Sequence, residues 1–408
     1  MSMLIEPKIR GFICTTAHPT GCAANVRQQI DYVKQRGKIK GPKKVLVIGA
    51  STGYGLASRI AAAFGSEAAT IGVFFEKAAS GKRTASAGWY NTAAFEEAAQ
   101  DAKLYAKSIN GDAFSQEIKQ QTIDLIKKDW QGGVDLVIYS VASPRRTDGK
   151  TGSIYNSTLK PIGKPYTNHT VNVMNGEVFD ITLEPSTADD IEQTEKVMGG
   201  EDWFDWMQVL HENGLLASGV QTLAYSYIGP ELTFPIYRDG TIGAAKKHLY
   251  KTVDDINQLL QSVHGKAIIS INKALVTQAS SAIPVVPLYI SILYKIMKNK
   301  KIHEGCIEQM ARLFSEKLYG ASGLQTDGQG FIRLDDWEMR DEVQSEVSKL
   351  WSSVNSENLP NLTDIDGYRH EFQKLFGFDM ASVNYAKEVD PLVQIPSIPE
   401  EDYSPVES

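Results

Sequence analysis

The segment Lys43–Ala50 (KKVLVIGA) runs straight into the turn Gly49-Ala50-Ser51-Thr52-Gly53-Tyr54-Gly55, and this junction constrains the fold more than any other stretch of the chain. A short run of apolar, mostly β-branched residues is the pattern of a strand buried on both faces. The glycines permit a tight turn and let backbone N–H groups come close to an anion, which the N-terminus of a following helix also favours. That helix is expected over the small-residue stretch Tyr54–Phe64. Further strands are expected at Ala69–Glu76 (ATIGVFFE), up to Asn110-Gly111, and at Val134–Ala142, Val220–Ile228 and Ala267–Val276. Helical stretches at Thr92–Lys107, Ser115–Trp130 and Thr241–Val263 separate them. Strands alternating with helices predict an α/β protein with a doubly wound parallel sheet.

The rhythm breaks between 143 and 218. Thr170–Glu184 holds two alternating segments around Asn175-Gly176, a strong hairpin signal, and helices are expected at Asp189–Val197 and Asp202–Glu212. The N-terminal 42 residues carry a polar helix-like stretch, Asn25–Arg36. After the sixth strand the chain reads as helical to about Leu318, followed by an acidic amphipathic helix at Asp335–Trp351. The tail Pro391–Ser408, rich in Pro, Glu and Ser, is expected to stay loose. A length of 408 residues fits two domains or one enlarged one.

Several function classes are disfavoured. The 42 Lys and Arg against 49 Asp and Glu, a net charge of −7, argue against a nucleic-acid binder. The apolar stretch Ala282–Met297 is interrupted by Pro284, Pro287 and Lys295 and falls short of a membrane span; within it, Ile283–Met297 reads equally as an acyl pocket lining or as core. Met1–Pro7 shows no signal-peptide pattern, and Cys14, Cys22 and Cys306 form no CxxC pair, so a reducing, cytoplasmic setting is expected. The histidines, among them His18, His169 and His303, make no HxH or HExxH spacing with a carboxylate partner, so no metal is expected.

The turn is written GxxxGxG, the form used by short-chain dehydrogenase-like proteins, although a tight strand-to-helix turn alone would also use these glycines. Glu76 closes the second strand 21 residues after Gly55, where a carboxylate can accept hydrogen bonds from an adenosine ribose and repel a 2′-phosphate. That favours NADH over NADPH, while Lys77, Lys82 and Arg83 stand close enough in sequence to weaken the exclusion. Asp112-Ala113 and Ser140-Val141 end the third and fourth strands, bordering the adenine and the nicotinamide ribose, or serving only as turn and strand-end residues.

When hydride adds to a double bond conjugated to a carbonyl, negative charge grows on the carbonyl oxygen. A tyrosine hydroxyl beside a lysine ammonium can stabilise it and supply a proton. Two pairs compete: Tyr294-x3-Lys298, with the usual short-chain spacing, and Tyr237-x8-Lys246. The second falls between the fifth and sixth strands, where such pairs belong. Lys246 sits on the shoulder of an apolar stripe formed by Ile242, Ala245, Leu249, Val253, Ile256 and Leu260. One continuous helix would hold Tyr237 about 13.5 Å away along its axis, so the tyrosine must lie ahead of that helix. Tyr227, at the end of the fifth strand, is a substrate-contact candidate or a core tyrosine.

The Tyr-x8-Lys spacing and the GASTGYG loop, with GFICTTAHPTGC (Gly11–Cys22), GWYN (Gly88–Asn91), YSYIG (Tyr225–Gly229), KALVTQASSAIP (Lys273–Pro284) and HEGCIEQ (His303–Gln309), resemble the FabV-type enoyl-acyl-carrier-protein reductases and their trans-2-enoyl-CoA reductase relatives. The resemblance covers nearly the whole chain. It implies a single enlarged Rossmann-type, short-chain dehydrogenase-like domain with helical and hairpin insertions. Its expected divisions are an extension (1–42), an NAD-binding half (43–142), an insertion (143–218), a catalytic half (219–330) and C-terminal helices with the tail (331–408). It implies a monomer that reduces enoyl thioesters of acyl carrier protein or coenzyme A with NADH. Carried over by residue, it makes Tyr237 the proton donor, Lys246 an NAD contact and Tyr227 a substrate contact. It puts NAD at Gly49, Ala50, Ser51, Thr52, Gly53 and Tyr54, at Phe75 and Glu76, at Asp112 and Ala113, at Ser140 and Val141, and at Leu275, Val276 and Thr277. Thr277 is expected to end the sixth strand, its hydroxyl and nearby backbone amides holding the nicotinamide carboxamide.

Overall fold

The computed structural model describes residues 2–399. Its centre is a parallel sheet of seven strands: β1 (Lys44–Ile48), β2 (Ala69–Phe74), β3 (Ala106–Asn110), β4 (Val134–Tyr139), β5 (Leu216–Ser226), β6 (Lys266–Ile271) and β7 (Ile332–Arg333). Their spatial order is β7-β6-β5-β4-β1-β2-β3. Winding therefore reverses between β1 and β4, and the crevice at their carboxyl ends is where open α/β sheets bind ligands. Both faces of the sheet are covered, which is why its strands read as unbroken apolar runs. Val45, Val47, Leu136 and Ile138 pack into one core, and Leu46, Ile48, Val137 and Ile71 into the opposite one.

The helices that position the site are α1 (Gly53–Ile60), α2 (Ala87–Asp101), α3 (Thr241–Leu259) and α4 (Val286–Asn299). A third core gathers at the carboxyl side of the sheet around α4, with Trp89, Tyr90, Val343, Trp351 and Tyr368. The apolar stretch 282–297 belongs largely to this core, since Val286 through Tyr294 are all buried. The expected hairpin pairs Tyr166–Asn172 with Glu177–Leu183 around Asn175-Gly176, with Gly176 at φ +78°. Among the described residues no helix is long and apolar enough to cross a membrane.

Four expectations are corrected. The helix expected at Thr92–Lys107 begins at Ala87 and stops at Asp101, where Lys103 turns at φ +57° and Leu104 N–H reaches back to Ala99 O at 2.8 Å. No glycine marks this stop, so the sequence pattern ran on into β3. The sixth strand ends at Ile271, five residues before the expected Val276, and 272–277 cross the carboxyl edge of the sheet. The helix expected from Asp335 begins at Asp341, because 336–339 form a turn that buries Glu338. The tail is not loose over 391–399. Trp89 Nε1 donates to Val393 O at 2.8 Å and Tyr90 Oη to Pro391 O at 2.7 Å, while Ile395 is buried. Ser397 donates through its amide and hydroxyl to the buried carboxylate of Glu96 at 2.9 and 2.8 Å. Polar composition hid this docking because the contacts are to backbone carbonyls and one internal carboxylate. Residues 400–408 lie outside the described residues.

Candidate active site

The glycine turn is pressed onto the end of β4. β1 and β4 finish level, Ile48 opposite Tyr139, and Ser140 N–H donates to Ile48 O at 2.8 Å. Gly49 has φ +87°, and a Cβ there would collide with the carbonyl of Ser140. The turn residues Gly49–Tyr54 and Ser140-Val141 are thus one surface. Gly49 and Ala50 amides both donate to Val73 O, at 2.8 and 3.0 Å, fixing the turn against β2. Thr52 caps α1 without spending its hydroxyl on the helix, so hydroxyl and helix N-terminus remain to face a diphosphate.

Glu76 follows β2 and turns back to the same surface. Its Oε1 accepts the Ser51 hydroxyl at 2.6 Å, and its backbone is clamped by Asn110, whose Oδ1 accepts Glu76 N–H at 2.8 Å. Helix α2 approaches so closely that a Cβ on Gly88 would overlap the Glu76 carboxylate, which explains the glycine of GWYN. Burial pushes the Glu76 carboxyl up from its ordinary value, and the Ser51 and Ser86 hydroxyls pull it back. Beside it Phe75 is 58 % exposed, an aromatic face at the rim fit to lie against a base.

Asp112 and Ala113 begin the turn after β3. Asp112 Oδ1 accepts Phe114 N–H at 2.9 Å, and Ala113 O accepts Lys119 Nζ and Trp206 Nε1 at 3.0 and 3.1 Å. Leu275 and Val276 are buried. Thr277 does not end a strand; it caps the short helix Gln278–Ser281, exchanging hydrogen bonds with Ser280. Its Cγ2 lies 3.9 Å from where a Gly53 Cβ would stand, so the 275–277 segment does reach the glycine turn. The amides expected to hold a carboxamide are already engaged, Val276 N–H by Tyr294 Oη at 3.1 Å and Thr277 N–H by Ser280 Oγ at 2.9 Å. The Thr277 hydroxyl is engaged as well, accepting Ser280 N–H at 3.1 Å, and Leu275 O and Thr277 O accept from Ser280 Oγ at 2.6 and 3.3 Å.

Tyr237 ends a single helical turn, Phe234–Tyr237, and Gly240 then starts α3 as its N-cap. The tyrosine therefore precedes the helix that carries Lys246, as the spacing requires. Its ring packs edge-on against Tyr227, centroids 4.7 Å apart at 81°. Lys246 Nζ donates to Tyr225 O at 3.3 Å. Both groups are thus seated on the last residues of β5 and its exit, at the carboxyl edge of the sheet. Burial alone brings the Lys246 ammonium down to about 8. Burial, then the charge of Glu338, raises the Tyr237 hydroxyl above its ordinary value. Tyr225 and Tyr227 diverge in role: Tyr225 Oη meets Ser58 Oγ at 2.6 Å under α1, whereas Tyr227 Oη donates to Glu338 Oε1 at 2.9 Å.

The competing pair is differently placed. Tyr294 is buried with its hydroxyl on the Val276 amide, and Lys298 is ion-paired with Asp364 at 2.6 Å. The ammonium of Lys298 lies over the Tyr294 ring face, 5.3 Å from its centroid, so this phenol and ammonium hold up the 275–277 segment from behind. Two site residues escaped the sequence reading, Glu338 and Tyr289. Tyr289 was absorbed in an apolar run and Glu338 in an acidic helix, and their partners lie 49 and 111 residues away, beyond any local pattern.

A parallel sheet wound in this order, with a glycine turn at its switch point and a carboxylate after β2, defines a Rossmann-type dinucleotide-binding protein. Residues 83–319 match the family model described as the trans-2-enoyl-CoA reductase catalytic region, and residues 4–81 match the NAD(P)H binding domain of trans-2-enoyl-CoA reductase. The chain is 63% identical over 398 residues to an enoyl-[acyl-carrier-protein] reductase [NADH] of Coxiella burnetii, covering 97% of this chain and 98% of that protein. The crystal structure of Clostridium acetobutulicum trans-2-enoyl-CoA reductase in complex with NADH superposes with a TM-score of 0.94 at 45% identity, covering 96% of this chain and all (100%) of that one. The Treponema denticola trans-2-enoyl-CoA reductase in complex with NAD gives 0.93 at 50% identity, with the same coverage of 96% and 100%. The chain belongs to the trans-2-enoyl-CoA reductase family, the FabV-type enoyl reductases.

Residues 326–389 match a model described as an enoyl reductase FAD binding domain. The side chains there do not fit a flavin. Val343, Val347, Trp351, Tyr368 and Phe372 are packed into the core around α4, and Glu338 is enclosed by tyrosines. Arg369 is committed to Val173 O at 2.7 Å and to Asp366.

Proposed function

We propose that the protein reduces the 2,3 double bond of trans-2-enoyl thioesters to saturated acyl thioesters with NADH, within fatty acid biosynthesis. The observation that carries this reading is the seating of Tyr237 and Lys246 on the end of β5, one through the Tyr227 ring and the other through the Tyr225 carbonyl. Gly49–Tyr54, Ser140 and Val141 cradle the diphosphate and nicotinamide ribose, and Glu76 with Phe75 holds the adenosine. Asp112 and Ala113 border the adenine, and Leu275, Val276 and Thr277 flank the nicotinamide.

When bound, NADH supplies hydride to the β-carbon of the thioester. Negative charge then appears on the thioester oxygen as an enolate, and the Tyr237 hydroxyl donates a hydrogen bond to it. Because burial keeps that hydroxyl protonated far above neutral pH, it is a donor throughout the working range. A proton, given directly or indirectly by Tyr237, closes the reaction at the α-carbon. Lys246 faces the ribose hydroxyls and keeps a positive field at the site. Tyr227 lines the substrate side.

The carrier is acyl carrier protein or coenzyme A, which present the same phosphopantetheine arm; kcat/KM on matched thioesters separates them. A cytoplasmic monomer completes the reading; that it folds as one enlarged domain is supported by the seven-stranded sheet, whose strands run from residue 44 to 333.

The test follows NADH consumption with crotonyl and dodecenoyl thioesters. Tyr237→Phe is expected to lower kcat by about 10²–10⁴-fold, and Tyr294→Phe, which removes only the support of the Val276 amide, to lower it far less. Near-full turnover by Tyr237→Phe would overturn the assignment of the acid. Reduction of 3-ketoacyl thioesters in preference to enoyl ones would overturn the reaction class.

A further inference from the structure

Glu338 is fully buried, which raises its carboxyl against the lowering effect of Lys273, and among the described residues the hydrogen bonds to it come from segments that reach the site. Oε1 accepts the hydroxyls of Tyr227 at 2.9 Å and Tyr289 at 2.6 Å; Oε2 accepts the Ala274 amide at 2.7 Å. Tyr227 leaves β5, Ala274 leads from β6 into the 275–277 segment, and Tyr289 belongs to α4. Gln344 Nε2 locks the turn, donating to Glu338 O at 2.7 Å and Tyr289 Oη at 3.2 Å. The cation facing Glu338 is Lys273, itself buried, with Nζ on Ala274 O at 3.0 Å. A charge buried this far from water costs several kcal/mol unless paired and hydrogen-bonded, and these three donors with Lys273 supply that pairing.

We infer that Glu338 is a positioning residue for the reduction: it accepts the hydrogen bond of the Tyr227 hydroxyl, fixes the ring on which Tyr237 packs, and leaves Tyr237 as the phenol that donates to the enolate. The inference rests on the reading of Tyr237 as proton donor. A carboxylate only accepts, and a phenol has one proton. With that O–H directed at Glu338, Tyr227 meets the substrate with its ring edge and oxygen lone pairs, and does not compete as oxyanion donor. The edge-on contact at 4.7 Å then sets the angle of the Tyr237 ring. Through Ala274 the same carboxylate ties the nicotinamide-flanking segment to the substrate side, so two halves of the site share one anchor.

The experiment is a double-mutant cycle on the full chain with NADH and crotonyl-CoA. Glu338→Gln keeps size and loses charge. It is expected to lower kcat about 10–100-fold, the range for losing hydrogen bonds to a buried charge, while KM for NADH and for thioester stay within about threefold. On the Tyr237→Phe background the same change is expected to cost little more, because the residue acts through Tyr237. A loss that multiplies with that of Tyr237→Phe, or a kcat within about threefold of wild type, overturns the inference while leaving the donor assignment intact. If Tyr237→Phe itself turns over fully, the donor reading fails and takes this one with it. Should Glu338→Gln not fold, Tyr289→Phe decides. It removes one of the two phenols on Oε1, and it is expected to slow kcat a few-fold in wild type and not at all on the Tyr237→Phe background; a multiplying loss there overturns the proposal.

Discussion

Glu76→Gln tests whether one carboxylate sets the choice of cofactor. Glutamine is isosteric and its Oε1 can still accept the Ser51 hydroxyl that Glu76 takes at 2.6 Å, so the turn keeps its shape and only the charge is lost. A carboxylate within hydrogen-bond reach of a ribose 2′-hydroxyl would stand about 5 Å from a 2′-phosphate. At an effective dielectric of about 20, unit charges at that distance repel by about 3 kcal/mol, and the phosphate carries more than one charge. Solvent at the rim, where Phe75 is 58 % exposed, and the nearby Lys77, Lys82 and Arg83 reduce this. We therefore expect the NADH/NADPH ratio of kcat/KM to fall at least about tenfold, with about a tenfold loss for NADH as ribose hydrogen bonds to a charged acceptor become bonds to a neutral one. The assay is initial-rate kinetics with both cofactors at low and high salt; the wild-type discrimination should weaken with salt and that of the variant should not. Because burial raises the Glu76 carboxyl, acidification should erode wild-type discrimination sooner than for a free glutamate and leave Glu76→Gln unchanged. A ratio within about threefold of wild type refutes the electrostatic argument.

Two further predictions concern charge and packing. Lys246 titrates at about 8 in the folded chain against 10.5 for the free group, so between these values the unfolded chain binds the extra proton and stability rises with pH. Lys273, also brought to about 8, adds the same sign. If the Lys246 ammonium is needed, kcat/KM for NADH falls as pH rises through about 8 while stability climbs; Lys246→Met should lack the kinetic limb and part of the stability slope, and parallel trends would count against this role. The docked tail should carry stability: Ile395→Ala is expected to cost about 2–5 kcal/mol, read as a lower urea midpoint at unchanged slope. A midpoint equal to wild type would mean that the tail contributes nothing.

Much of the scaffold was legible in one dimension. Apolar residues on both faces of KKVLVI identify a covered parallel strand, Gly49 sits where backbone must touch backbone, and Asn175-Gly176 announces its hairpin, each a consequence of neighbours in the chain. The Tyr237–Lys246 spacing excluded a single helix before any coordinate was known. Where an element ended was less legible: Asp101 stops α2 through a left-handed lysine rather than a glycine, and nothing local marks that.

Tertiary packing alone decided the rest. Whether a phenol is a support or a donor depends on what lies opposite its hydroxyl: for Tyr294 it is the Val276 amide, for Tyr227 a carboxylate 111 residues away. The tail is held by Glu96, 301 residues before Ser397. Periodicity records only which side of an element turns from water. Which distant group it meets there follows from how sheets and helices close on one another, and so the chemistry of buried charges such as Glu338 and Lys246 had to wait for the folded chain.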